Sequence, residues 1–139
     1  MLLPSRLRVE LKTLAWKREK GTSLKVFSGK EEALNRLILL ILRLKRKLAK
    51  YDMAIEVRHI RDFKHIDTNT VYRRMDALQQ QGWIGIVGER PTKPGWPSEL
   101  YGLTLKGKAA LKLDERNIDD FLSTASDEQL RKLIDALSK

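Results

Sequence analysis

The stretch DTNTVYRRMDALQQQGWI, Asp67 to Ile84, decides how this chain is organised. Val71, Met75, Leu78 and Gly82 follow one another at steps of four, three and four, the spacing of one α-helical face. Asp67 or Thr68 is the candidate N-cap. Gly82 is the candidate first residue beyond the helix, from which Trp83 and Ile84 fold back onto its end. At the 3.6-residue helical repeat, Asn69, Arg73 and Gln80 point nearly opposite to the apolar face. Thr70 and Asp76 flank the outward face, and Tyr72 and Arg74 lie to its two sides. A helix that only fills a core has no use for so polar and basic a front end. Asn can bond adenine through two hydrogen bonds, Arg can do the same with guanine, and Thr suits base or phosphate. A helix N-terminus also presents free N–H groups to an anion. On an isolated helix the same pattern reads as a solvated face, so the neighbouring elements decide between the two readings.

Upstream, Ser28 and Glu31 have capping-box spacing and open a helix expected to run to about Lys50. Its apolar residues, Leu34, Leu37 through Leu42, Leu44 and Leu48, cover most of the circumference. Such a helix is buried on several sides, as the spine of a domain or in a dimer interface. AIEVRHIRDF then predicts a short helix with Ile55, Ile60 and Phe63 inward and Val57 off that face, and KHID is a tight connector. Downstream, WIGIVGE and ELYGLTL read as strands joined through the loop RPTKPGWPS, a hairpin with a long tip. Thr104 is placed to cap a helix that includes Leu111 and Leu113 and runs on through DERNIDDFL. Ser126 and Gln129 open a last helix whose Leu130, Leu133, Ile134 and Leu137 form one stripe. At the other end, Pro4 starts a helix ending near Gly21, with Leu7, Leu11 and Leu14 on one face.

The 139 residues carry a formal net charge of +10. That excess points to a polyanionic partner, nucleic acid ahead of an anionic membrane. Residues 1–30 hold eight basic and two acidic side chains, whereas residues 114–139 hold four basic and seven acidic ones. One end is suited to an anion and the other to a different task. There is no cysteine, which excludes disulfides and thiolate metal sites and is compatible with a cytoplasmic location. The longest apolar run, Leu37 to Leu42, is far short of the roughly 18 residues that span a bilayer. MLLPSRLR lacks the apolar core of a signal peptide, so neither a membrane partner nor a leader is expected. His59 and His65 have no matching ligands around them, so no metal or other cofactor is expected. His65, in the connector, is within reach of a phosphate. No nucleophile–base set, glycine-rich phosphate loop or spaced carboxylate group is present, and adjacent Asp119 and Asp120 read as surface charge. An enzyme is therefore not expected.

Helix, short helix, tight turn, helix and hairpin, in that order, make a winged helix-turn-helix. In that unit the third helix enters the DNA major groove and the hairpin tip lies along the backbone. The segments TNTVYRRMDALQQQGWI and ELYGLTLKGKAAL resemble the PadR family of the MarR/PadR group of winged-helix transcriptional regulators. The matching residues are Thr70, Val71, Tyr72 and Arg73, then Leu78, Gly82 and Ile84, then Tyr101, Leu103, Thr104 and Gly107, within roughly residues 34–113. The resemblance implies a dimer on a palindromic operator, read by the helix from Asp67 to Gln81. It also implies Tyr72 near a phosphate and wing contacts from Arg90 and Lys93. The proline-rich tip with Trp96, and the basic first thirty residues, depart from the family pattern. Trp96 either stiffens the tip, wedges into a minor groove or meets a partner, and Trp83 is expected in the core.

The expected fold is thus mainly α with a small β-hairpin wing. Residues 1–30 form a basic N-terminal helical extension, 31–113 the winged-helix DNA-binding domain and 114–139 a helical dimerisation segment. The candidate DNA contacts are Thr68, Asn69, Thr70, Tyr72, Arg73 and Arg74 on the reading helix. Arg58, Arg61 and Lys64 precede it, and Arg90 and Lys93 sit on the wing. One reading is a homodimeric, sequence-specific regulator of transcription acting as a repressor, paired through its N- and C-terminal helices. A second puts the same fold to work in replication, partition or DNA packaging on a plasmid or virus, which the basic N-terminal segment favours. A third, a protein-interaction module that binds no DNA, predicts a neutral or acidic reading helix, against the Arg73 and Arg74 found here.

Overall fold

A computed structural model describes residues 24–92, 95, 97–116 and 118–138. The N-terminal helix expected before Gly21, together with Lys93 and Trp96, lies outside the described residues. The fold is built around helix α1, Glu32–Lys45. Leu34 and every residue from Leu37 to Leu42 are buried, so protein must lie on all sides of it. The elements that surround it are a 3-10 turn at Lys25–Phe27, α2 (Lys50–Arg58), α3 (Thr68–Gln80), the second of two strands and α4 (Leu105–Glu115). A second 3-10 turn, Arg61–Phe63, links α2 to α3. The strands β1 (Ile84–Arg90) and β2 (Ser98–Leu103) pair antiparallel as a hairpin. Two further helices, α5 (Ile118–Thr124) and α6 (Asp127–Leu137), close the chain. This order and packing define a winged helix-turn-helix, as expected.

Both ends of α1 differ from the sequence expectation. Ser28 does not cap it. The Ser28 hydroxyl donates to the carbonyl of Lys25 at 2.8 Å, closing the 3-10 turn, and Glu31 occupies the cap position without a side-chain bond. The helix also stops at Lys45 rather than near Lys50. Arg46 takes a φ of 72° with a ψ of −46°, a positive-φ conformation that residues with a Cβ rarely adopt and that costs about 1–3 kcal/mol. The compensation is tertiary. Breaking the helix there lets Leu48 extend and exchange backbone hydrogen bonds with Tyr101 of β2, at 3.0 and 2.8 Å.

Because a new helix begins at Lys50, the register of the next segment also changes. Met53, Ala54 and Val57 point into the core, and Ile55 is only half-buried. Val57, expected off the inward face, is fully covered. Ile60 is buried and Phe63 packs against the core from the 3-10 turn rather than from α2 itself.

The two ends of the hairpin are held by local devices the sequence announces. Trp83 N–H donates to the Leu78 carbonyl at 2.9 Å and Gly82 N–H to Gln79 at 3.0 Å, with Gly82 at a φ of 86°. This is the paired bonding that ends a helix on a left-handed glycine. In the wing, Ile86 faces Tyr101 and Gly88 faces Leu100, so Val87 is an extra residue that bulges outward. Thr104 Oγ1 accepts from Gly107 N–H at 3.1 Å, capping α4, and donates back to the Gly82 carbonyl at 2.6 Å. The helix was expected to run on through DERNIDDFL but ends at its second residue, Glu115, with Arg116 in extended conformation and a separate helix starting at Ile118. The terminal α6 carries the predicted capping box between Ser126 and Gln129.

One buried cluster escaped the sequence reading. Arg36 is 1% exposed, with Nε 2.8 Å from Asp114 Oδ2, Nη2 3.2 Å from Glu32 and the Phe27 ring 5.0 Å away. It ties α1 to the last turn of α4. A guanidinium keeps its charge when withdrawn from water, and the paired carboxylates offset the cost of desolvating it.

The junction between the wing and α4 is sensitive to volume. A Cβ on Gly107 would lie 2.2 Å from the Trp83 carbonyl oxygen, a backbone atom that cannot rotate away. Gly107→Ala is expected to lower stability by about 1–3 kcal/mol, measured as a shift of the urea midpoint. An unchanged midpoint would show that Trp83 and α4 are not in this close contact.

Candidate nucleic-acid interface

Helix α3 is clamped from one side only. Val71, Met75 and Leu78 are fully buried, which settles the rotation of the helix about its axis. Asn69, Arg73 and Gln80 are consequently exposed and Thr70 half-buried, as the helical spacing predicts. Arg73 Nη2 lies 3.5 Å from Thr70 Oγ1, a contact too long to hold the guanidinium against a better acceptor. At the front of the helix, Asp67 makes no side-chain cap, so the first N–H groups of α3 are not taken up by its carboxylate. The outward face therefore offers an amide, a hydroxyl, a guanidinium and a helix N-terminus together.

The remaining candidates divide by whether the fold has already engaged them. Arg58 is spent internally: its Nε donates to the Ile66 carbonyl at 3.2 Å and its Nη2 to the Thr68 hydroxyl. It braces the turn that leads into α3. Thr68 is likewise half-buried under this contact. Arg90 pairs with Asp52 of α2 at 2.8 Å, strapping the wing to the body of the fold. Arg61 and Lys64 are exposed at the turn before α3. Lys93 lies outside the described residues.

Tyr72 and Arg74 occupy opposite flanks of α3, as expected, and meet different surroundings. Tyr72 is half-buried with Lys50 Nζ 5.9 Å from its ring. Arg74 turns to the other side, toward the connector before α1 and the start of α4, where it lines a cavity. The two adjacent arginines thus face separate environments.

Lys50 was missed by the sequence reading because it was assigned to the end of α1. It opens α2 instead, pairs with Asp76 on α3 and stands 5.7 Å from the Tyr101 ring. Tyr101 is buried where the wing, α2 and α3 converge. Its hydroxyl donates to Glu99 Oε2 at 2.9 Å. Burial, then the bond to Glu99 and the negative charges of Glu99 and Asp76, push the phenol up to about 12.

Comparison with protein-family models and with curated proteins finds no match. Solved structures do show likeness. A transcriptional regulator from Streptococcus is 18% identical over 74% of this chain and 92% of its own, with a TM-score of 0.48. PadR from Bacillus subtilis, solved in complex with operator DNA, is 23% identical over 74% of this chain and 59% of its own, with a TM-score of 0.41. MarR from E. coli, also solved with operator DNA, is 15% identical over 73% and 69%, again at 0.41.

The raised phenol makes a testable statement about the wing. An unfolded tyrosine ionises near about 10, so the folded chain holds this proton more tightly. The resulting stabilisation is complete below that value and is lost as pH rises through the folded value of about 12. A phenolate absorbance titration is expected to show a late component that Tyr101→Phe removes. Its persistence in the variant would detach the shift from Tyr101.

Proposed function

We propose that the chain is a dimeric regulator of transcription that binds double-stranded DNA in a sequence-specific manner, acting as a repressor. The observation that carries this reading is α3: its three core residues settle its rotation, and Asn69, Thr70 and Arg73 are left on the free face. Asn69 and Arg73 supply two-point contacts to adenine and guanine edges in the major groove. Lys64, Arg61 and the front of α3, Thr68 included, serve backbone phosphates, with Tyr72 beside them. Arg90 reaches phosphate only by giving up Asp52, and Lys93 extends the wing contact. The net charge of +10 supplies the long-range attraction. No helix among the described residues is long and apolar enough to cross a membrane.

The dimer reading is supported by α6, which has no buried residue. Ile134 is 61% and Leu137 76% exposed, and Leu133 is exposed beside them. A stripe of this kind along an amphipathic helix has an apolar face to bury, and a second copy would cover it. The neighbours solved with operator DNA are consistent with the DNA reading. The eight basic residues of the first thirty favour the second reading, a replication, partition or packaging protein of the same fold.

Titration of a duplex from the chain's own genomic neighbourhood and of a random duplex, at two salt concentrations, separates these readings. Arg73→Ala is expected to weaken binding to the specific duplex by about 1–3 kcal/mol and leave random DNA nearly unaffected. Lys64→Ala is expected to weaken both and to reduce the salt slope by about one. Equal affinity for the two duplexes supports the second reading, and no binding to either sinks both. For the dimer, Ile134→Asp combined with Leu137→Asp is expected to halve the mass seen in sedimentation equilibrium. A wild-type chain that sediments as a monomer removes the dimer from the proposal.

A further inference from the structure

Helix α4 carries an apolar stripe on its outer side. Gly107, Ala110 and Leu111 pack inward, and Leu105, Ala109 and Leu113 follow one another at steps of four on the other side. Leu105 is 84% and Leu113 58% exposed, with Ala109 exposed between them. From Leu105 to Leu113 the stripe runs about 12 Å at the helical rise of about 1.5 Å per residue. The stripe of α6, from Leu130 to Leu137, runs about 10.5 Å by the same rise. Two open apolar faces of matched length thus stand on one chain. They do not cover each other within it. Only α5 separates the two helices, yet Leu105 and Leu113 on one and Ile134 and Leu137 on the other all remain exposed.

The surroundings of the two stripes differ in charge. Exposed Lys108 and Lys112 border the α4 stripe and face Arg43, Arg46 and Lys47 at the end of α1 across a shared groove. No carboxylate lines that groove among the described residues, and of its five cations Arg43 alone is ion-paired, with Glu115. In contrast, α5 and α6 together hold five carboxylates against two cations. We propose that α6 of a second copy lies along α4, and that α4 of the second copy receives α6 of the first. This gives the proposed dimer its contact surface and depends on that dimer. Two-fold symmetry repeats the contact, so both stripes of both chains are covered. Pairing α6 with α6 instead would leave Leu105 and Leu113 in water and set two acidic segments side by side, and like charges across an interface oppose association.

The chain has no cysteine, so a thiol introduced at one position reports on that position alone. Ala109→Cys and Ile134→Cys each replace an exposed residue near the middle of its stripe, where the helices meet whichever way they run. Packed helices lie about 8–10 Å apart, within the span of a short bis-maleimide. The two full-length variants are mixed, left to exchange subunits and treated with the reagent. A covalent dimer is expected from the mixture, and far less from either variant alone. An equal yield from Ile134→Cys alone means that α6 pairs with α6, which overturns the exchange and leaves the dimer standing. A double variant that closes into a cross-linked monomer puts α6 on its own α4 and also overturns it. So does a mixture that sediments as a dimer and does not cross-link. A wild-type chain that sediments as a monomer removes the dimer and this contact together. Lys108→Glu combined with Lys112→Glu is expected to weaken the dimer about tenfold with the circular dichroism unchanged. An unchanged dimer affinity removes the charge match that selects α6 as the occupant and overturns the proposal.

Discussion

The complete burial of Leu37 to Leu42 is the constraint on which the structure depends. Six consecutive apolar residues on a helix leave no direction free for water. Neighbours must close around α1 from every side, and the connector, α2, α3, β2 and α4 all do so. Once α3 is committed to this packing through Val71, Met75 and Leu78, its outward face follows. The exposure of Asn69 and Arg73 is thus a consequence of how α1 is covered, with no separate device needed to aim them.

The same packing changes the meaning of the basic charge. A high count of Lys and Arg suggests many available cations, but the fold engages several of them. Arg36 is enclosed with Asp114 and Glu32, Arg58 braces the turn before α3, and Arg90 is paired with Asp52. Lys50 links α2 to Asp76 and stands near the ring of Tyr101. The cations at the turn before α3, Arg61 and Lys64, and Arg73 on its outward face stay exposed. Arg74 belongs to a different surface, facing the connector before α1 and the start of α4.

Much of the fold was legible because its signals are short in range. The 3.6-residue spacing of Val71, Met75 and Leu78 needs no partner to be read. Gly82, Thr104 and the Ser126–Gln129 pair each act on backbone groups a few residues away, and each does in the structure what its position implies. The hairpin strands were likewise readable from alternation and bounding turn residues. Ser28 shows the limit of such reading: its spacing from Glu31 is right, yet the hydroxyl closes a preceding turn. Two local bonds competed for one side chain, and spacing alone does not rank them.

What the sequence by itself determined is therefore the order of the winged-helix elements from α1 to the hairpin and the two faces of α3. What only the tertiary structure decided is where α1 ends, which face of α2 is inner and which cations are spent. Arg46 leaves the helix because Leu48 is needed beside Tyr101, a residue far along the chain. That single break shifts the register of α2 and moves Lys50 to its start. Arg58, Arg90 and Arg36 find acceptors on other elements in the same way. Helical spacing and caps are energies between near neighbours, present in the chain before it folds. The pairing of a strand or a charge with a distant partner exists only once the core has brought the two together.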